Sequence, residues 1–145
     1  MRSRLAGTTL AAAAALFWVS WLLMPGVGVT DARRIFERVG ARRTWVACSV
    51  AAQLVSAVLY VPALVALLSD PALAAQRSIR IGAGLLLVGA SGSAADAVYH
   101  LLAYAMTAPG LDLAALVPVM EFMQGPGLAA VAPLILAFFV GTAWL

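Results

Sequence analysis

The sequence predicts an all-α protein, a helical transmembrane bundle of about four spans with a short interfacial or re-entrant helix between spans 3 and 4. Two compositional observations point there first. Of 145 residues, 64% are hydrophobic and only 10% are charged, whereas soluble domains run at about 25% charged. The apolar residues also come in runs of roughly 18 or more with at most a rare charge inside, as a hydrocarbon core about 30 Å thick demands. The third observation is where the charge sits. The net charge of +3 rests on nine Arg and no Lys, placed between the apolar runs rather than in a stripe that could follow a phosphate backbone, so nucleic acid is not an expected partner. Such clusters belong in the headgroup region, where they set orientation and attract anionic lipid. The whole chain reads as a single multi-span domain.

The first span is predicted over 5–24, after Arg2 and Arg4 and before Pro25-Gly26. It is longer than the roughly 7–15 apolar residues of a secretory signal and ends in the large aromatics Phe17, Trp18 and Trp21, which suit an interface rather than a cleavage site. Residues 27–43 then carry Arg33, Arg34, Arg38, Arg42 and Arg43 against Asp31 and Glu37. Thr30-Asp31 can cap a short helix there, and Ile35, Phe36 and Val39 give it one apolar face, which predicts an amphipathic helix lying in the interface.

The second span is predicted over 44–68, with Trp45 at one interface, a kink at Pro62 and a stop at Ser69-Asp70-Pro71. A short connection through Arg77 and Arg80 leads to a third span over 81–107, and so short a link predicts antiparallel packing. After Pro109-Gly110, the apolar stretch to Gln124 bears Asp112, Pro118 and Glu121 and meets Gly125-Pro126-Gly127. Its length, within roughly 10–14 residues, predicts an interfacial or re-entrant piece. The fourth span, 128–145, just reaches spanning length and stops at Trp144-Leu145 without a flanking charge. Two readings fit that ending: a terminal carboxylate at the interface, or the front part of a longer protein. Orientation stays open as well, because the two sides would hold four Arg against five.

Asp96 and His100 are the only ionisable residues in the middle of a span. They stand four apart, hence one turn from each other on one helical face. Ser93 lies on the same side, and Gly82, Gly89, Asp96 and Ala103 recur every seven residues, a small-residue face against which another helix can pack closely. The second span carries a matching stripe of Ser49, Gln53, Ser56 and Tyr60. In an antiparallel hairpin Gln53 comes level with Asp96, and Ser49 with His100. An ionised carboxylate at that depth costs about 2.5–3.5 kcal/mol on insertion scales, so Asp96 is expected to face Gln53 rather than lipid.

Other chemistries find little support. Cys48 is the sole cysteine, which removes an internal disulfide; the lack of Asn removes N-glycosylation and the lack of Lys removes a Schiff-base cofactor. One His and one Cys are too few for a metal site within one chain, and Ser93 and Gly89-Ala90-Ser91-Gly92 lack the settings of a catalytic serine or a phosphate loop. No cofactor is expected. Glu121 reads first as a water-facing residue and second as one that enters a site. The favoured expectation is a non-enzymatic structural or accessory membrane subunit, contacting a second copy or another membrane protein through the small-residue face of the third span. The rival is a small transporter or proton-transfer component using Asp96 and His100; a lipid- or quinone-processing enzyme comes third. Abundant Ala and Arg without Lys or Asn suits a GC-rich bacterial genome, and so an inner membrane.

Overall fold

The computed structural model describes residues 2–145, with side chains from Leu5 onward, so the Arg2 and Arg4 side chains counted for orientation lie outside the described residues. Among the described residues every element is helical. α1 spans Arg2–Leu23, α2 Ala32–Ala41, α3 Arg43–Leu68, α4 Pro71–Ala74 and α5 Arg77–Met106; α6, Leu113–Phe122, passes through a π-turn, Met123–Gly127, into α7, Leu128–Trp144. Among the described residues four helices are long and apolar enough to cross a bilayer: Leu5–Leu23, Arg43–Leu68, Arg77–Met106 and Leu113–Trp144.

The last of these differs from expectation. The segment before Gly125-Pro126-Gly127 is helical, but it joins the fourth span end to end instead of standing apart as an interfacial or re-entrant piece. Pro126 has no N–H to give the carbonyl four residues back, and its ring crowds that carbonyl. A single π-turn widens the helix by one residue and absorbs the conflict without breaking the rod. The resulting helix of 32 residues is about 48 Å long at 1.5 Å per residue, which lets α6 reach beyond the other helices' packed middle and lie beside α2.

The long helices alternate in direction and pack in chain order, α1 on α3, α3 on α5 and α5 on α7. Cross-helix hydrogen bonds fix the first pair: Ser49 Oγ donates to the Ser20 carbonyl at 2.6 Å and Ser56 Oγ to the Ala13 carbonyl at 2.7 Å. The partners step in opposite senses along the two chains, as antiparallel helices require. The α5–α7 seam is closer still. A Cβ on Gly92 would come within 2.6 Å of the Leu134 carbonyl carbon, one on Gly141 within 2.6 Å of Leu86 N, and one on Gly89 would collide with the Phe138 backbone. Gly82 meets Leu145 on the same seam. The glycine part of the α5 small-residue face, Gly82 and Gly89, is therefore covered by the chain's own α7 and Leu145.

Two cores result. Towards the end where α3 turns into α5, Ala13, Phe17, Tyr60, Leu64, Leu86 and Phe138 pack together. At the other end α2 lays Ile35, Phe36 and Val39 on Val46, Val50, Ala103 and Met120. Asp31 caps α2 by accepting from Arg34 N at 2.8 Å, and the chain corners at Arg42 straight into α3. The amphipathic helix is thus present, but its apolar face covers the end of the bundle. α3 is held to α5 at this end by Arg43, which donates to the Tyr104 carbonyl and Thr107 Oγ1 at 2.9 and 2.6 Å and lies 4.0 Å over the Tyr104 ring.

Candidate functional site

Between the two cores α3 and α5 bring polar side chains together. Gln53 Nε2 donates to Asp96 Oδ2 at 2.7 Å. His100 Nδ1 lies 3.4 Å from Gln53 Oε1 and 3.7 Å from Asp96 Oδ2. One amide thus bridges the two ionisable groups, and a proton on Nδ1 has an acceptor in each neighbour. Asp96 Oδ1, by contrast, has no protein partner among the described residues and is not sealed off; the carboxylate side chain is 15% exposed.

Asp96 lines a half-open cavity of about 570 Å³. Gln53, Ser93, Asp96 and His100 form its polar end. The aromatic residues Phe17, Trp21, Tyr99, Phe138 and Phe139 also line it, as do the Met24–Val29 connection, Gln124 and the exposed Glu121. α1 and α7 meet where the Phe17 ring sits 4.5 Å from Phe138 and 6.3 Å from Phe139. The Gln124 amide donates to the Val29 carbonyl at 3.4 Å, tying the π-turn to the first connection. Irregular backbone at such depth is tolerated where it lines a cavity, and the π-turn contributes Gln124 and Gly125 to this one. Two buried polar atoms on cavity-lining residues, Trp21 Nε1 and Ser93 Oγ, have no hydrogen-bond partner among the described residues.

The residues singled out from the sequence divide three ways. Gln53, Asp96, His100 and Ser93 meet at the cavity. Ser49 and Ser56 turn to α1 and do not approach Asp96. Tyr60 is buried in the first core, edge-on to Phe138 at 5.3 Å. The heptad stripe on α5 splits too: Gly82 and Gly89 face α7, Asp96 faces α3, and Ala103 faces α2. A straight helix drifts about 20° per heptad, so a stripe three heptads long cannot keep one neighbour. Trp21, Tyr99 and Gln124 were not foreseen as site residues. The signal available was the Gly125-Pro126-Gly127 interruption, which marks where backbone bends around a cavity. Glu121 proves to line the site as well as being exposed.

Among the described residues no group of three or more His, Cys, Asp or Glu comes together as a metal would require. The chemistry available at the cluster is hydrogen bonding, charge and proton exchange between Asp96 and His100. Comparison of the chain with family models, with curated proteins and with solved structures gives no match.

Proposed function

We propose that this chain is a multi-pass membrane protein that holds a small molecule inside its helical bundle, with Asp96, Gln53 and His100 at the polar end of the site. The observation that carries this reading is a cavity lined by Gln53, His100 and Asp96, whose carboxylate keeps one oxygen without a protein partner among the described residues. Its volume of about 570 Å³ falls within the roughly 300–1,000 Å³ of ligand sites, and apolar walls with a few convergent polar groups are the usual composition of such sites. A bundle whose acid served only to hold helices together would need no such space beside it.

Membrane placement is supported by the four spanning-length helices and by large apolar side chains left bare along their middles, among them Val58 at 69% and Leu136 at 63% exposure. The Arg-rich, Lys- and Asn-free composition makes a bacterial inner membrane the proposed location. The structural-accessory reading loses its main surface, because α7 occupies the glycine face of α5. The molecule is read as a carrier or receptor that binds and releases its ligand unchanged, because the cluster is tied up in mutual hydrogen bonding, with Gln53 Nε2 on Asp96 Oδ2 and His100 Nδ1 beside Gln53 Oε1.

The test uses the purified chain in phosphatidylcholine nanodiscs, titrated with aromatic probes of three charge types while tryptophan fluorescence is followed. At least one probe is expected to quench saturably, with the effect lost in Trp21→Phe. Quenching that rises linearly for every probe and ignores that substitution would overturn the proposal.

A further inference from the structure

We infer that the cavity takes an organic cation with a bulky apolar body, its positive centre seated against Asp96 and its body among the aromatic rings. This rests on the binding reading above and adds the charge and shape of the ligand.

The fixed charges lining the cavity among the described residues are carboxylates, and the one basic group there, His100, already sits 3.7 Å from Asp96 Oδ2. The half-buried Asp96 and the exposed Glu121 both line the cavity, and among the described residues lining it there is no Arg. This is notable in a chain whose net charge is +3. The guanidinium groups close to this end are directed elsewhere: Arg43 is held by Tyr104 and Thr107, and Arg38 packs its stem beside Gly26 at the rim without lining the space. An anion entering would meet two carboxylates, with no basic group but His100, which already faces Asp96. A cation meets the reverse.

The inner carboxylate is also half used. Oδ2 accepts a hydrogen bond from the Gln53 amide, which holds the group in place, while Oδ1 has no protein partner among the described residues and is not sealed off, in a side chain that lines the cavity. A fixed acceptor with a free oxygen in a low-dielectric setting attracts positive charge far more than the same oxygen in water.

The walls complete the argument. Phe17, Trp21, Tyr99, Phe138 and Phe139 bring five rings to one space. Ring faces carry negative potential and stabilise cations, most of all desolvated ones whose charge is spread over apolar substituents. A compact, strongly hydrated ion gains little there and loses its water. A neutral apolar molecule gains from the rings but leaves Asp96 Oδ1 unpaired. Only a lipophilic cation uses both features.

The deciding experiment compares three probes of related shape in phosphatidylcholine nanodiscs: tetraphenylphosphonium, triphenylphosphine oxide and tetraphenylborate. Tetraphenylphosphonium is expected to quench Trp21 saturably and to bind at least about tenfold tighter than the neutral oxide, with no saturable signal from the borate. Asp96→Asn should remove about tenfold of the cation's affinity and leave the oxide unchanged, while Glu121→Gln, at an exposed position, should remove about two- to threefold. If the oxide binds as tightly as the phosphonium, or the borate binds tighter, the cation inference fails and the binding site stands. If no probe saturates, both fail. Circular dichroism checks that Asp96→Asn folds; if it does not, the ranking of the three probes on the native chain, with Glu121→Gln, decides.

Discussion

Gln53 uses both ends of its amide on α5, Nε2 on Asp96 and Oε1 towards His100. If the hydrogen bond rather than the charge joins the helices, an amide in place of the carboxylate should serve nearly as well, because Gln53 Nε2 still finds an oxygen. Asp96→Asn is therefore expected to change bundle stability by no more than about 0.6 kcal/mol, the mean worth of such interhelical bonds. Gln53→Met keeps the volume and removes the bridge, leaving Asp96 without its donor, and should cost about 1–2 kcal/mol. Both are read from denaturant unfolding in one detergent, and the opposite ranking would mean that charge holds the pair. At this scale the sequence was partly readable. The four-residue spacing of Asp96 and His100 and the antiparallel register placed Gln53 opposite Asp96. Ser49 was misplaced because each step of four residues turns a helix by about 40°; that rotation is enough to send a short side chain to α1 while a long one still reaches α5.

The helices themselves were legible as lengths and faces, but less so as partners. Periodicity shows which side of α2 is apolar and says nothing of what will cover it; the answer, Val46, Val50, Ala103 and Met120, is a tertiary fact. This yields a discriminating prediction. Phe36 is 3% exposed, so Phe36→Ala should destabilise the purified protein by about 3–5 kcal/mol, measured by thermal unfolding in detergent. A helix resting on lipid would show almost no loss. Gly125-Pro126-Gly127 misled for another reason: each local rule reads it as a stop, and only packing of α6 and α7 as one rod makes a π-turn the better solution. The α5–α7 seam gives a second test. A Cβ at Gly89 meets Phe138 backbone, which cannot swing away, whereas one at Gly84 meets nothing within 4 Å. Gly89→Ala should cost about 1–3 kcal/mol by overpacking, while Gly84→Ala should be neutral or gain up to about 1 kcal/mol from helix propensity.

For the molecule as a whole, the same apolar surplus that betrayed the fold class decides the environment. Folding leaves Val55, Val58, Leu136 and Phe139 between 44% and 69% exposed, on a scale that water does not tolerate in a contiguous patch. Val58 is the sharpest probe, being 69% exposed and near the middle of α3, which runs Arg43–Leu68. In a water-soluble bundle a cysteine there would react at once with a charged maleimide. In a bilayer the same site lies in hydrocarbon, where neither the thiolate nor the reagent is stable. In a Cys48→Ala background, Val58→Cys is therefore expected to resist a membrane-impermeant maleimide in intact or inverted vesicles and to label fully after solubilisation in denaturing detergent. Ser69→Cys, just past the end of α3, should label from one side only and so report which face the α3–α5 connection occupies, a question the arginine count left open. Labelling of Val58→Cys as fast as Ser69→Cys in sealed vesicles would place the middle of α3 in water and overturn the membrane placement.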